Sequence, residues 1–413
     1  MLKKTIVLVW VLFAVIAVNG QEPIRDLKPT VVLVSLDGFR ADYLAKYQHP
    51  TLDELSRTGV RARWMTPSYP SLTFPNHYTI ATGLYPEHTG IVANDIYDPE
   101  FNAFFALSKR EEVQNGRWWG GEPIWITAEK QGQKASATFW PGSEAEIKGR
   151  RASYWKTFDD KVTPNERVDG VLSLLDLTQA QRPTFLTLYL SNVDHEGHEH
   201  SPESKEVADA IKLVDDALNR LIEGLRARQI YDGVNLIVVS DHGMAAQPPN
   251  HEVVLDDYFD AKAAEHISWG NQVTNIFAKN SNERRLLRSF QRKRVDHAKC
   301  YAKHGVPSRF HYRDNRRIGS VVCMAEQGYL LKSRSRYEED KKRLTTNVRG
   351  AHGYDNLLRS MRAIFIAHGP AFKKGVTVAP FPNIDVYNIM TRVLKLKPAK
   401  NDGSLSAARA VLR

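Results

Sequence analysis

The chain has 413 residues, 42% of them apolar and 25% charged, with a formal net charge of +10. That apolar content supports a substantial core and excludes wholesale disorder and a fibrous repeat. Two cysteines, Cys300 and Cys323, are too few for a cysteine-rich scaffold.

In chain order, Lys3 and Lys4 precede an almost wholly apolar run from Thr5 to Val18. Val18-Asn19-Gly20 then offers small residues at a cleavage edge. Residues 1–20 therefore read as a secretory signal peptide. The alternative, a retained anchor, is opposed by a run shorter than the ~20 residues a spanning helix needs. No later segment is apolar enough to span a bilayer, so the expected location is exported, periplasmic or secreted. The expected mature chain, 21–413, is a single catalytic domain.

Near-continuous apolar runs at Thr30–Leu36, Thr184–Leu190, Leu236–Ser240 and Ala363–Ala367 read as strands buried on both faces. Pro202 to Arg228 carries Val207, Ile211, Val214, Leu218, Leu221, Ile222 and Leu225 at helical spacing, with Ser201 as its expected cap. Strands alternating with helical stretches indicate an α/β sheet covered by helices on both faces. The stretch at about 244–346 is basic and loop-rich, and reads as an insertion holding both cysteines. Its densest charge, Glu283 to Arg294, reads as a solvated helix face. No nucleic-acid-binding motif accompanies it, so no nucleic-acid partner is expected. If Cys300 and Cys323 pair, they staple the basic loop between them.

Scattered acids and histidines follow several of these strands. Asp37 follows the first, and Asp194 and His198 stand in Val193-Asp194-His195-Glu196-Gly197-His198. Asp241 and His242 follow the third strand, and His352 begins His352-Gly353-Tyr354-Asp355-Asn356. Open α/β sheets place their sites at the carboxyl ends of strands. Oxygen and nitrogen donors without thiolates suit zinc, or other borderline divalent ions. Each residue alone also has an ordinary structural explanation as a cap or a turn. His195 and His200 read as bystanders or supports of the ligands, His77 and His88 as structural.

Thr73 lies in Pro67-Ser68-Tyr69-Pro70-Ser71-Leu72-Thr73-Phe74-Pro75-Asn76-His77, at the expected start of a helix closed by Gly83. A hydroxyl there faces unpaired N–H groups and the positive end of the helix dipole. Phe74, Trp140, Tyr154 and Tyr189 are candidate stacking residues for a ring or base, with core packing as the competing explanation.

The whole set resembles the nucleotide pyrophosphatase/phosphodiesterase family of the alkaline phosphatase superfamily, as a bacterial-type catalytic core. The motifs run in family order from Asp37 through Thr73, Thr82-Gly83-Leu84-Tyr85-Pro86-Glu87-His88-Thr89-Gly90-Ile91, the Asp194 and His198 pair, and Ser240-Asp241-His242-Gly243-Met244 to His352. The resemblance implies an alkaline-phosphatase-like fold with two Zn2+ ions. It implies that Asp37, Thr73, Asp241 and His242 hold one, and Asp194, His198 and His352 the other. It further implies Thr73 as nucleophile through a phosphothreonine intermediate, and Asn94 on a non-bridging phosphate oxygen. Phe74, Tyr154 and Tyr189 are expected to bind substrate. Trp140-Pro141-Gly142-Ser143-Glu144 resembles a stretch kept by nucleotide-cleaving members, which favours small-molecule nucleotide substrates and release of nucleoside 5′-monophosphate. A choline phosphodiesterase acting on phospholipids or glycerophosphodiesters is the alternative, and a non-catalytic nucleotide-binding protein the remote one.

Overall fold

The computed structural model describes residues 22–279, 282–342 and 347–413. The expected signal peptide, 1–20, lies outside the described residues. The core is a seven-stranded sheet: β1 (Thr30–Leu36), β2 (Val60–Ala62), β3 (Ala135–Ser136), β4 (Phe185–Leu190), β5 (Val234–Val239), β6 (Phe365–His368) and β7 (Val376–Val378), in spatial order β7-β2-β6-β5-β1-β4-β3. β1 is central and pairs in parallel with β4 and β5. β6 runs antiparallel to both of its neighbours.

The pleat sends successive side chains of β1 to opposite faces. Val31 and Leu33 enter one core, while Val32, Val34 and Leu36 enter another. Both sets are fully buried, so the sheet is covered on both sides. Helix α1 (Pro50–Thr58) contributes Leu52 and Leu55 to the second core, and the long helix of residues 205–227 contributes Ile211, Val214, Leu218, Leu221 and Leu225.

The register of the three central strands matters most for function. Leu36 lies opposite Leu190, and Ser35 opposite Val239. Three parallel strands therefore end at one edge, and the residues that follow them emerge side by side.

Two elements depart from the sequence expectation. The long helix does not begin at Pro202 under a Ser201 cap. A helix α3 (Asn192–His200) ends at Ser201, whose φ of +83° turns the chain away, and helix α4 (Lys205–Ala227) starts after Ser204. There the Ser204 hydroxyl accepts the Val207 N–H at 3.2 Å, relieving one unpaired N–H of the first turn. The Asp194 motif is thus helical. Here α2 denotes Thr73–Thr82, which ends as expected at Gly83 in the left-handed conformation.

Within residues 244–346 lies a four-stranded antiparallel sheet, ordered Ala264–Ser268, Val273–Ala278, Val321–Ala325, Ala298–Ala302. It has its own apolar core around Ile276, Leu286, Phe290 and Val321. Cys300 and Cys323 face each other across its last two strands and are joined in a disulfide.

Candidate active site

Because the central strands are in register, Asp37, the start of α3 and Ser240-Asp241-His242 meet at the carboxyl edge of the sheet. Asp37, Asp241 and His242 are essentially fully buried. In α3, residues four apart share a face, which brings Asp194 and His198 together, their side chains 3.6 Å apart. His352 arrives from the strand Arg349–Ala351, paired with Ala245–Gln247 just beyond His242. Its ring stacks on that of His242 with centroids 3.6 Å apart. Thr73, at the first turn of α2, places Oγ1 3.2 Å from His242 Nε2.

Gly38 makes the close approach feasible. Its φ is +68°, and a Cβ there would lie 2.9 Å from the Cα of Asp194. Its N–H donates to Asp241 Oδ1 at 3.2 Å, so the turn after β1 fastens the carboxylate that follows β5.

Nδ1 of His198 lies 2.9 Å from Gly350 O, Nδ1 of His352 2.9 Å from Ser71 O, and Nδ1 of His242 2.8 Å from Gly243 O. A carbonyl only accepts, so each Nδ1 carries the proton, and each Nε2 of a neutral ring is a bare acceptor. Yet Nε2 of His198 and Nε2 of His352 face each other at 3.0 Å. Asp194 stands 3.5 Å from His352 Nε2, and Asp241 Oδ2 stands 2.9 Å from His242 Nε2. Asp37 Oδ1, Asp194 Oδ1 and Asp241 Oδ2 are buried without a hydrogen-bond partner.

Acceptors converging on acceptors in a buried space describe the lining of a cation site. Asp194, His198 and His352 form one potential metal-binding group, and Asp37, Asp194 and His242 an adjoining one. Burial, then the charges of Asp241 and Asp194, push Asp37 well above the usual carboxylate range. Burial and the flanking His242 and His198 keep His352 from protonating. A third group combines Asp37 and Asp241 with His77, but the nitrogens of His77 are already engaged by Thr73 O at 2.9 Å and Ser35 Oγ at 2.8 Å. His77 therefore braces the site.

A cavity of about 260 Å³ opens over Asp37, Thr73 and Asp194, walled by Phe74, Phe139, Trp140, Phe158 and Tyr189. Asn94 is tied to Phe74, a wall of this cavity. Its Oδ1 accepts the Phe74 N–H at 3.1 Å, which leaves its NH₂ free to donate. The Tyr189 hydroxyl donates to Asp37 Oδ2, and burial and that carboxylate raise the phenol well above its ordinary pKa. Tyr189 thus meets the pocket with its ring while its hydroxyl serves the acid cluster.

Tyr154 is a correction. Its hydroxyl donates to Gln181 O at 2.9 Å, and it lines a neighbouring cavity rather than the one over Thr73. An isolated bridge from Ser136 to Tyr154 holds this part of the chain beside the sheet edge, so Phe158, four residues on, reaches the pocket instead. Phe158 went unnoticed in the sequence because it lies in an irregular stretch where no periodicity tells a wall from a surface. The bystanders stay outside the cluster, with His200 beside Glu196 at 3.5 Å and His88 beside Asp402 at 2.7 Å.

The model of the type I phosphodiesterase/nucleotide pyrophosphatase family matches residues 31–355. The venom phosphodiesterase CdcPDE of Crotalus durissus collilineatus is 40% identical over 393 residues, 93% of this chain and 46% of that protein. Ectonucleotide pyrophosphatase/phosphodiesterase family member 3 of Rattus norvegicus is 38% identical over 397 residues, 94% of this chain and 44% of that protein. The chain thus spans about half the length of the curated relatives it matches. Murine ectonucleotide pyrophosphatase/phosphodiesterase 5, solved as an inactive threonine-to-alanine variant in complex with AMP, superposes with a TM-score of 0.84 at 31% identity. The match covers 92% of this chain and 99% of that one.

Proposed function

The chain belongs to the type I phosphodiesterase/nucleotide pyrophosphatase family, with an alkaline-phosphatase-like α/β sheet, and from that premise we propose that it is an exported two-zinc hydrolase of nucleotide phosphodiester and pyrophosphate bonds, releasing nucleoside 5′-monophosphate. The observation that carries the reading is the pair of bare imidazole nitrogens 3.0 Å apart beside unpartnered buried carboxylate oxygens, with a threonine hydroxyl at their edge.

In this reading Asp37, Thr73, Asp241 and His242 hold one zinc ion, and Asp194, His198 and His352 the other. Bound there, the cations supply positive charge that favours ionisation of the threonine hydroxyl and offsets the charge of the phosphoryl group. Thr73 Oγ1 attacks phosphorus; its bond to phosphorus forms as the bond to the leaving alcohol or nucleotide breaks. Water then cleaves the Oγ1–phosphorus bond and restores the threonine. The first turn of α2 turns the positive end of its dipole toward the phosphate. Asn94, fixed by the Phe74 N–H, donates to a non-bridging oxygen as charge builds there. Phe74, Tyr189 and Phe158 offer the base aromatic surfaces, which stack on any base without selecting its identity.

Export is supported by the apolar segment before Gly20 and by a disulfide, which persists in oxidising compartments. Among the described residues no helix is long and apolar enough to cross a membrane. The test is metal analysis joined to rates on a nucleotide phosphodiester, a choline phosphodiester and a phosphomonoester, with and without chelator. Two zinc ions per chain and chelator-sensitive preference for the nucleotide diester are expected. Turnover that survives complete metal removal would end the proposal, and preference for the choline ester would move the protein to the alternative substrate class.

A further inference from the structure

Arg167 lies in the helix Pro164–Leu175, behind the wall of the pocket. It is buried, 8% exposed, and makes no salt bridge to a carboxylate among the described residues. Its guanidinium is spent instead on main-chain carbonyls. Nε donates to Val162 O at 2.9 Å, Nη1 to Tyr189 O at 2.9 Å and Nη2 to Asp159 O at 3.0 Å. The same group lies 4.7 Å from the ring centre of Phe139 and 5.6 Å from that of Phe158.

Three of these five contacts, those to Tyr189, Phe139 and Phe158, end on the pocket. Phe139 and Phe158 line it, and Tyr189 both lines it and donates to Asp37. Phe139 has a φ of +62°, a conformation a bulky side chain adopts only when its surroundings hold it there. Phe158 lies in an irregular stretch with no sheet pairing, anchored by its own N–H to Glu144 Oε1 at 3.0 Å. A planar fork with five donors suits this job, because it ties separate strands of main chain while its face lies against rings. Lysine has one compact head and cannot replace it.

We propose that Arg167 is a positioning residue for substrate specificity: by clamping residues 159–162 to the end of β4 and backing Phe139 and Phe158, it holds the aromatic wall in the shape that accepts a base. This rests on the nucleotide reading of the pocket, but it assigns to a residue outside the site the control of how strongly the base contributes.

The test compares Arg167→Lys and Arg167→Met with the parent protein. Binding of AMP and of inorganic phosphate is measured by calorimetry, and cleavage of a nucleotide p-nitrophenyl ester is compared with that of methyl p-nitrophenyl phosphate, which has no base. The ratio of AMP to phosphate affinity, and the ratio of kcat/KM between the two esters, should each fall about tenfold, the effect expected from a lost base stack. The loss on the nucleotide ester should appear mainly in KM. Combining Arg167→Lys with Phe158→Ala should cost less nucleotide preference than the sum of the two single losses, since the arginine acts in part through that ring. Equal losses on both esters and both ligands, or additive losses in the double variant, would overturn the assignment to specificity. Failure of the parent protein to cleave either ester would instead overturn the phosphodiesterase reading, and the AMP-to-phosphate ratio would still decide the role of Arg167.

Discussion

Thr73 looks in the sequence like any hydroxyl opening a helix. Its place 3.2 Å from a histidine nitrogen that has no proton to give sets it apart. Thr73→Ala is therefore expected to lower kcat by at least about a thousandfold while the melting temperature stays near that of the parent. A residual rate within tenfold of the parent would remove Thr73 from the chemistry. Phe158→Ala should raise KM for a nucleotide ester about tenfold, with a smaller change in kcat, as expected from losing one aromatic surface under a base. The acids and histidines were legible one by one because strand ends and helix starts announce themselves. Phe158 and Arg167 were not, since an irregular segment and the inner face of a helix leave no mark in the sequence that says which cavity they serve.

At the scale of elements, the loop that leads into the strand Val321–Ala325 of the four-stranded sheet is fastened to the rest through Asp98, the last residue of the short strand Ile96–Asp98. It is fully buried and is approached by Arg316 and Arg317, and Arg317 also donates to Gly90 O and Trp118 O. Burial alone would raise the Asp98 pKa, but hydrogen bonds from the two arginines outweigh it and bring it to about 2. A carboxylate held below its unfolded value of 3.8 stabilises the fold above that pH, and the contribution is lost as pH falls toward 2. Its size over this window is at most about 2 kcal/mol. Urea unfolding of Asp98→Asn and the parent should show a stability gap above pH ~4 that narrows as pH drops to ~2.5; a gap independent of pH would show that the ion cluster is not the source. The disulfide is a second fastening. Reducing Cys300–Cys323 should cost up to about 3 kcal/mol, seen as a lower urea midpoint under reductant; an unchanged midpoint would mean the small sheet holds without it.

For the molecule as a whole, the heaviest cost lies at the carboxyl edge of the sheet, where Asp37 and Asp241 are buried with Asp194 against them. Carboxylates gathered out of water repel one another unless a cation joins them. Chelation should therefore lower the melting temperature as well as activity, and zinc should restore both. At a free metal concentration a thousand times the dissociation constant, the bound state is favoured by about 4 kcal/mol. A melting curve indifferent to chelator would mean that the acid cluster is not a metal site.

The local order of the chain already carried the four strands, the opening of α2 at Thr73 and its closure at Gly83, because burial on two faces and left-handed glycine ends are short-range demands. It also carried the identity of the ligand candidates, since the parallel strands that precede Asp37, Asp194 and Asp241 are recognisable as apolar runs. The order of strands in the sheet, the break at Ser201 that turns α3 into a separate helix, the four-stranded sheet within the basic stretch and the choice of Phe158 over Tyr154 were decided only in the tertiary structure. Each depends on which distant segments pack together, and a contact between residues hundreds of positions apart leaves no periodicity along the chain.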